Sequence, residues 1–128
     1  MKLLLDTHLL IWAANSPQRL SKQARAMLSD PANQLIFSAA SIWEITIKFD
    51  LNPGAFQSHP RLLRRGLIEN EYLELPVTSE HTLAVSGLPP LHKDPFDRLL
   101  IAQATVEGLL LLTADAAVAR YPGPVRKI

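Results

Sequence analysis

The sequence predicts an α/β fold of three layers, α/β/α, in which helices cover both faces of a central parallel sheet. Short apolar runs at Lys2–Leu5, Gln34–Ser38 and Leu109–Leu112 alternate with longer segments whose apolar residues have helical spacing. Strands that alternate with helices connect in parallel, because each helix serves as the crossover between strand ends. No linker, repeat or biased tract interrupts the chain, so we expect a single domain over residues 1–128.

The N-terminal half contains two strand–helix units. The strand Lys2–Leu5 is followed by apolar residues at helical spacing over 9–13, and a second helix ends at the breaker Asp30-Pro31. The strand Gln34–Ser38 then leads into a helix that we expect to begin at Ser41. This repetition of strand and helix favours a parallel sheet over an antiparallel one.

The C-terminal half continues the alternation after a turn at residues 52–54. The sequence predicts a basic amphipathic helix at His59–Glu71, a strand at Tyr72–Val77 and a short helix at Ser79–Ser86. A loop rich in proline and charge follows at Gly87–Pro95, and a strongly apolar helix at Phe96–Glu107. Gly108 should end the apolar helix, since glycine tolerates the left-handed conformation common at helix C-termini. The strand Leu109–Leu112 and one more short helix complete the fold.

Composition narrows the class of protein and of site. The chain has 48% hydrophobic residues, no cysteine and a net charge of +1. Without thiolates, any metal must be held by oxygen or imidazole, and the small charge does not by itself indicate a nucleic-acid partner. Charged and polar residues interrupt both apolar stretches, so the sequence predicts no signal peptide, no membrane span and a cytoplasmic location.

Four acidic residues lie where a parallel α/β sheet binds its ligands. Asp6 follows the first strand, Glu44 follows the second at the start of a helix, and Asp115 follows the Leu109–Leu112 strand. Asp97 stands at the start of the apolar helix. Because ligands bind outside the carboxyl ends of parallel strands, we expect these side chains to meet at one edge of the sheet.

Helix capping is an alternative role for each acid. Ser41 and Glu44 have the spacing of a capping box, Asp94 followed by proline is typical of a helix start, and Asp115 could cap the final helix. Several carboxylates at one point would nevertheless repel each other unless a cation neutralised them. Oxygen ligands favour Mg²⁺ or Mn²⁺, and such a site suits hydrolysis of a phosphodiester by an activated water.

Three motifs in this chain resemble those of the PIN-domain ribonucleases, and among them the VapC-type toxins of bacterial toxin–antitoxin pairs. The motifs are Leu3-Leu4-Leu5-Asp6-Thr7-His8, Ser38-Ala39-Ala40-Ser41-Ile42-Trp43-Glu44-Ile45 and the thirteen residues His92–Ala104. The resemblance implies a PIN-like fold and a Mg²⁺- or Mn²⁺-dependent endoribonuclease with an RNA substrate, a cognate antitoxin and a homodimeric state. It also implies that Asp6, Glu44, Asp97 and, less strictly, Asp115 are the catalytic and metal-binding residues.

Further side chains are secondary candidates. Thr7 could orient a metal-bound water or cap the following helix, and Asp94 could support Asp97 as well as cap. Lys48 should form an ion pair with Glu44 one helical turn away. Basic residues that could contact RNA phosphates, or simply form solvated surface, are Arg61, Arg64, Arg65, Lys93 and Arg98. Trp12 and Trp43 lie within apolar patterns and are predicted to be core residues.

Two non-enzymatic alternatives remain open at this stage. A phosphorylatable receiver domain has a similar size and also binds Mg²⁺ with aspartates at strand ends, although adjacent acids after the first strand would be expected there. A catalytically silent interaction domain could keep the same fold and use its acids only as caps.

Overall fold

All five strands of the central sheet run parallel. A computed structural model describes residues 1–128. In the sheet the strands lie in the order β3-β2-β1-β4-β5. Their bounds are β1 (Lys2–Leu5), β2 (Gln34–Ser38), β3 (Leu73–Leu75), β4 (Leu110–Thr113) and β5 (Val125–Lys127). The order places β1 at the centre, and the chain progresses outward from it in both directions, first through β2 and β3 and later through β4 and β5.

Seven α-helices and three short 3₁₀ helices connect the strands. The α-helices are α1 (Thr7–Asn15), α2 (Lys22–Ser29), α3 (Ala39–Leu51), α4 (Pro60–Glu69), α5 (Ser79–Ala84), α6 (Pro95–Glu107) and α7 (Ala116–Ala119). The 3₁₀ helices are Pro17–Arg19, Pro53–Ala55 and Val85–Gly87. The longest helices have only 13 residues, and none is long and apolar enough to cross a membrane.

The two faces of the sheet have separate hydrophobic cores, as a three-layer fold requires. Leu3 and Leu5 point to one side and pack with residues of α1, α2, α3 and α4. Leu4 points to the other side and packs with residues of α6 and α7. All three leucines are fully buried, which explains why this strand reads as an uninterrupted apolar run. The predicted α/β/α class is confirmed.

The structure corrects the predicted start of α3. This helix begins at Ala39, and its N-cap is Ser38, whose hydroxyl accepts a hydrogen bond from the Ala40 N–H. Ser41 and Glu44 therefore lie inside the helix, and the predicted capping box does not form. Two serines three residues apart can each cap, and the structure uses the one that directly ends β2.

Other element boundaries differ less from the predictions. The bounds of β1 and β2 match, while α4 and β3 are shorter than the predicted His59–Glu71 and Tyr72–Val77. Strand β5 was not predicted; it has three residues and pairs only with β4. The strand order also argues against the receiver alternative, because receiver domains have the order 2-1-3-4-5.

Gly108 ends α6 as predicted, with a φ of 69° in the left-handed region. We expect Gly108→Ala to lower the free energy of unfolding by about 1 kcal/mol, because a Cβ is unfavourable at this φ. Gly66→Ala is the matched control: Gly66 lies within α4 with open space around its Cα. That change should raise stability by about 0.5 to 1 kcal/mol. Urea denaturation of both variants measures this, and a shift of the same sign in both would contradict the assignment.

Candidate metal centre

The strand order reverses between β1 and β4, and the candidate site lies at the carboxyl ends of these two strands. In parallel α/β sheets a crevice forms at this position, because the connections leave the two strands towards opposite sides. Asp6 is the first residue after β1, and its N–H donates to the Leu112 carbonyl of β4 at 3.0 Å. This bond places Thr113, the last residue of β4, beside the Asp6 side chain.

Asp6 is buried and held in a fixed orientation. Only 3% of the residue is exposed. Its Oδ1 accepts the Leu9 N–H at 2.9 Å and caps α1, while its Oδ2 accepts a short hydrogen bond from the Thr113 hydroxyl. Burial raises the pKa of Asp6 above its usual range, and the hydrogen bond from Thr113 partly opposes that rise. Each oxygen retains a second lone pair with which it could bind a cation.

Glu44 lies in the second turn of α3 and is 4% exposed. Its Oε2 accepts a hydrogen bond from the Lys48 ammonium at 2.7 Å, which confirms the predicted ion pair. Its Oε1 is buried and has no hydrogen-bond partner in the protein. A buried carboxylate oxygen without a partner is costly, so this atom is suited to a ligand such as a metal ion.

Asp97 stands in the first turn of α6, where Asp94 caps the helix by accepting the Phe96 and Asp97 N–H groups. The pKa of Asp97 is raised to about 6, first by burial and then by the charge of Asp94, with further contributions from Glu44 and Asp6. A hydrogen bond from His92 at 2.9 Å lowers it in part. The electrostatic influence of the other acids on Asp97 indicates that Asp6, Glu44, Asp94 and Asp97 share one region.

Asp115 stands apart from that group. It caps α7 by accepting the Ala117 N–H at 2.8 Å, as the capping alternative predicted. Its own N–H donates to the Thr113 hydroxyl oxygen at 3.0 Å, and the same hydroxyl donates to Asp6. Asp115 is thus connected to the site through Thr113, whereas the charges that raise the pKa of Asp97 come from the other three acids.

The tightest cluster of metal-ligating atoms differs from the predicted set. Ligand atoms of His92, Asp94 and Asp97 lie within 4.8 Å of one another. Asp94 was predicted only as a secondary candidate, and His92 was not predicted. His92 lies five residues before Asp97, but a loop has no fixed periodicity. Its contact with Asp97 could therefore not be predicted from the spacing.

Thr7 and Thr113 have roles that the sequence did not reveal. Thr7 is not the cap of α1, because Asp6 itself takes that position. The Thr7 hydroxyl instead donates to the Ser41 hydroxyl oxygen at 3.0 Å, which ties the start of α1 to α3. Thr113 orients Asp6 from the neighbouring strand. Both threonines are buried, but only Thr113 contacts one of the acids.

The predicted basic residues do not form one group. Two clefts are lined by Arg61 and Arg64, one of them also by Arg65, and neither includes any of the four predicted acids. Arg64 pairs with Glu74 at 2.7 Å. The structure gives Arg98 another role, because its guanidinium donates to three loop carbonyls and to a tyrosine hydroxyl; these acceptors are Val85, Leu88, Pro89 and Tyr121. Lys93 is exposed in the loop before α6.

The prediction that both tryptophans are core residues is wrong for Trp43. This side chain is 62% exposed and contacts Phe96 edge to face, with ring centroids 5.2 Å apart. Trp43 precedes Glu44, and Phe96 precedes Asp97, so the two rings lie next to residues of the acidic group. Trp12 is half-buried and packs against one of the two hydrophobic cores.

The donor set fits a divalent cation that prefers oxygen. Carboxylates supply nearly all the available ligand atoms, and one of them, Glu44 Oε1, has no partner within the protein. Mg²⁺ and Mn²⁺ prefer such ligands, whereas a structural zinc site would need several nitrogen or sulfur donors. The single imidazole of His92 is compatible with Mn²⁺. The other available ligands are carboxylates, which Mg²⁺ prefers.

Known proteins match this chain in family and in fold. The family model for the PIN domain matches residues 3–124. The fold resembles VapBC2 of Rickettsia felis bound to promoter DNA, with a TM-score of 0.74, 16% identity, and coverage of 100% of this chain and 99% of that one. The fold also resembles a toxin–antitoxin complex of Klebsiella pneumoniae, with a TM-score of 0.66 and 16% identity. That match covers 97% of this chain and 95% of the other.

DNA-bound VapBC of Salmonella typhimurium gives a TM-score of 0.67 and 13% identity, with 99% of this chain and 98% of that one covered. None of the curated proteins compared with the chain matches it. At these identities the solved structures establish the fold alone, whereas the family model covers nearly the whole sequence. The chain therefore belongs to the PIN-domain family of nucleases.

Proposed function

We propose that this protein is an endoribonuclease that depends on Mg²⁺ or Mn²⁺. The observation that carries the proposal is the convergence of buried carboxylates on Asp97, together with the unpartnered Glu44 Oε1. Carboxylates that raise each other's pKa are unfavourable in a stable fold unless a cation compensates them in the working state. The resemblance to PIN-domain ribonucleases supports RNA as the substrate.

Asp6, Glu44 and Asp97 would hold the cation, with Asp94 and His92 supporting Asp97 from the loop before α6. The bound metal supplies polarisation of the phosphate and acidification of a water, which are the requirements of phosphodiester hydrolysis. The chain's own residues supply the geometry: Thr113 and the Leu9 N–H fix both oxygens of Asp6. The Asp94 cap fixes the backbone of Asp97, so neither carboxylate has to reorganise when RNA arrives.

Asp115 is proposed as a supporting member of the same site. It polarises Thr113 through its own N–H, and Thr113 orients Asp6. Asp115→Asn preserves this backbone bond and removes only the side-chain charge near the site, so it should weaken cleavage without abolishing it. A direct metal ligand would be expected to show a much larger effect.

We also propose that the protein is the toxin of a toxin–antitoxin pair. Several solved structures with this fold are complexes described as VapBC or toxin–antitoxin assemblies. A short reading frame beside this gene, whose product co-purifies with the chain and suppresses its ribonuclease activity, would support the proposal. A homodimer is a further expectation, and the exposed apolar residues Trp43, Ile47 and Leu51, spaced by four along α3, provide a surface for it.

Cleavage by site variants tests the proposed metal ligands. Asp6→Asn, Glu44→Gln and Asp97→Asn should each reduce Mg²⁺-dependent cleavage of a structured RNA by about 100-fold or more, since even residues that only support metal ligands can cost 10- to 100-fold. Asp50→Asn and Glu80→Gln make the same chemical changes at exposed positions and should retain full activity. Initial rates on a labelled RNA measure the effect.

Cleavage that is undiminished in EDTA would contradict the proposed metal dependence. Full activity of the Asp6→Asn variant would overturn the assignment of the site. A wild-type chain that binds antitoxin but cleaves no RNA would instead support the catalytically silent interaction domain.

The raised pKa of Asp97 has a consequence for the stability of the protein without metal. Because the pKa of Asp97 is raised to about 6 in the fold, its protonated form is favoured there. Its contribution to stability is therefore present below the unfolded pKa near 3.8 and is lost as the pH rises through about 6. In EDTA at pH 7.5, Asp97→Asn should be more stable than wild type by about 1 to 2 kcal/mol, since the side chain is mostly buried and screening is moderate.

Thermal unfolding at pH 5 and at pH 7.5, with EDTA or Mg²⁺, provides the measurement. The advantage of Asp97→Asn should shrink at the lower pH, and Mg²⁺ should stabilise wild type more than the variant at the higher pH. Asp50→Asn is the control and should follow wild type throughout. An Asp97→Asn protein that is less stable than wild type in EDTA at pH 7.5 would contradict the electrostatic account.

A further inference from the structure

A cleft beside the acidic group carries cations and no carboxylate. It has a volume of about 360 Å³ and lies between α1, the 3₁₀ helices Pro17–Arg19 and Pro53–Ala55, and the C-terminal half of α3. Its walls include Arg19, Lys48 and His8. The chain contains 12 acidic residues, yet none of them lines this cleft, so the local charge is positive although the net charge is only +1.

The cleft adjoins the candidate metal centre. Thr7, which follows Asp6 in sequence, lines one wall, and Lys48, whose ammonium contacts Glu44 at 2.7 Å, lines another. The Lys48 side chain is 49% exposed, while that of Glu44 is only 6% exposed. Lys48 therefore lies at the boundary between the buried carboxylates and the open cleft. A ligand that occupied the acidic site could extend past Lys48 into the cleft.

The Arg19 guanidinium stacks on an aromatic ring and has no anionic partner within the protein. Its guanidinium carbon lies 4.9 Å from the centroid of the Trp12 ring, and no ion pair in the protein involves Arg19. Stacking on an aromatic face restrains a guanidinium and leaves its N–H donors available at the edge. His8 approaches the same ring, with centroids 6.2 Å apart. An unpaired, restrained arginine is typical of phosphate recognition.

We propose that this cleft binds the RNA strand next to the cleaved bond, with Arg19 and Lys48 contacting a backbone phosphate. The inference rests on the proposed ribonuclease function and adds a subsite to it. Asn15 and Gln57 also line the cleft and offer amide groups that can hydrogen-bond to a base. The three basic residues of α4 do not reach this cleft, so this subsite is assigned to Arg19 and Lys48.

The test measures RNA binding separately from cleavage. The parent is Asp6→Asn in Mg²⁺, and the probe is a short fluorescently labelled RNA hairpin followed by anisotropy. Adding Arg19→Gln should weaken binding by about fivefold to tenfold and lower the slope of log affinity against log salt by about 1. Arg19→Lys keeps the charge and should retain the slope. Arg25→Gln, an exposed arginine of α2 outside the cleft, should bind like the parent.

The outcomes separate this inference from the proposed function. If wild type cleaves RNA but Arg19→Gln binds it as tightly as the parent with an unchanged salt slope, the subsite is wrong and the ribonuclease assignment stands. The same holds if Arg25→Gln weakens binding as much as Arg19→Gln does. If the parent binds no RNA at all, the subsite is overturned, and a protein partner becomes the better occupant of the cleft. Circular dichroism of each variant verifies that the fold is intact.

Discussion

The burial of mutually repelling carboxylates at one edge of the sheet is the constraint on which the rest of this structure depends. Asp6 and Glu44 are almost completely buried, and Asp97 carries a raised pKa because of burial and of neighbouring acids. Such a group costs free energy in the absence of a cation. The fold offsets part of that cost by giving each acid its own hydrogen-bond donor. Thr113 donates to Asp6, Lys48 donates to Glu44, and His92 donates to Asp97.

Strand register positions the side-chain donor to Asp6. The Asp6 N–H bonds the Leu112 carbonyl, and this pairing sets the Thr113 hydroxyl against the Asp6 carboxylate. A slip of one residue would turn every side chain of β1 to the opposite face and separate the pair. The register is secured by the packing of Leu3 and Leu5 on one side of the sheet and Leu4 on the other. The hydrophobic core thereby determines the geometry of the polar site.

The sequence was informative where local pattern and tertiary environment agree. Strands β1 and β2 have an uninterrupted apolar centre flanked by polar residues, so their bounds could be predicted from the pattern alone. The start of α3 could not, because Ser38 and Ser41 are both competent caps. Ser41 is instead used by Thr7, a residue 34 positions away, and no local rule predicts that contact. Strand β5 is too short for alternation to be visible.

The same distinction applies to the site. Asp6, Glu44 and Asp97 could be selected as candidates because strand ends and helix starts are visible in sequence. The contacts of Thr113 and His92 could not be predicted, because they form across the sheet and across a loop. Trp43 was misassigned because α3 carries apolar residues on several sides, so apolar spacing did not reveal which side faces water.

Charge distribution explains how a nearly neutral chain could bind a polyanion. A net charge of +1 argues against nucleic-acid binding only if the charges are mixed over the surface. Here the acids gather at the end of β1, and the cleft beside them carries Arg19, Lys48 and His8 without a carboxylate. Lys48 belongs to both regions, because it neutralises Glu44 and also faces the cleft. In the proposed binding mode, an RNA strand contacts the cations of the cleft beside the proposed metal-binding acids. Composition alone cannot reveal this separation of charge.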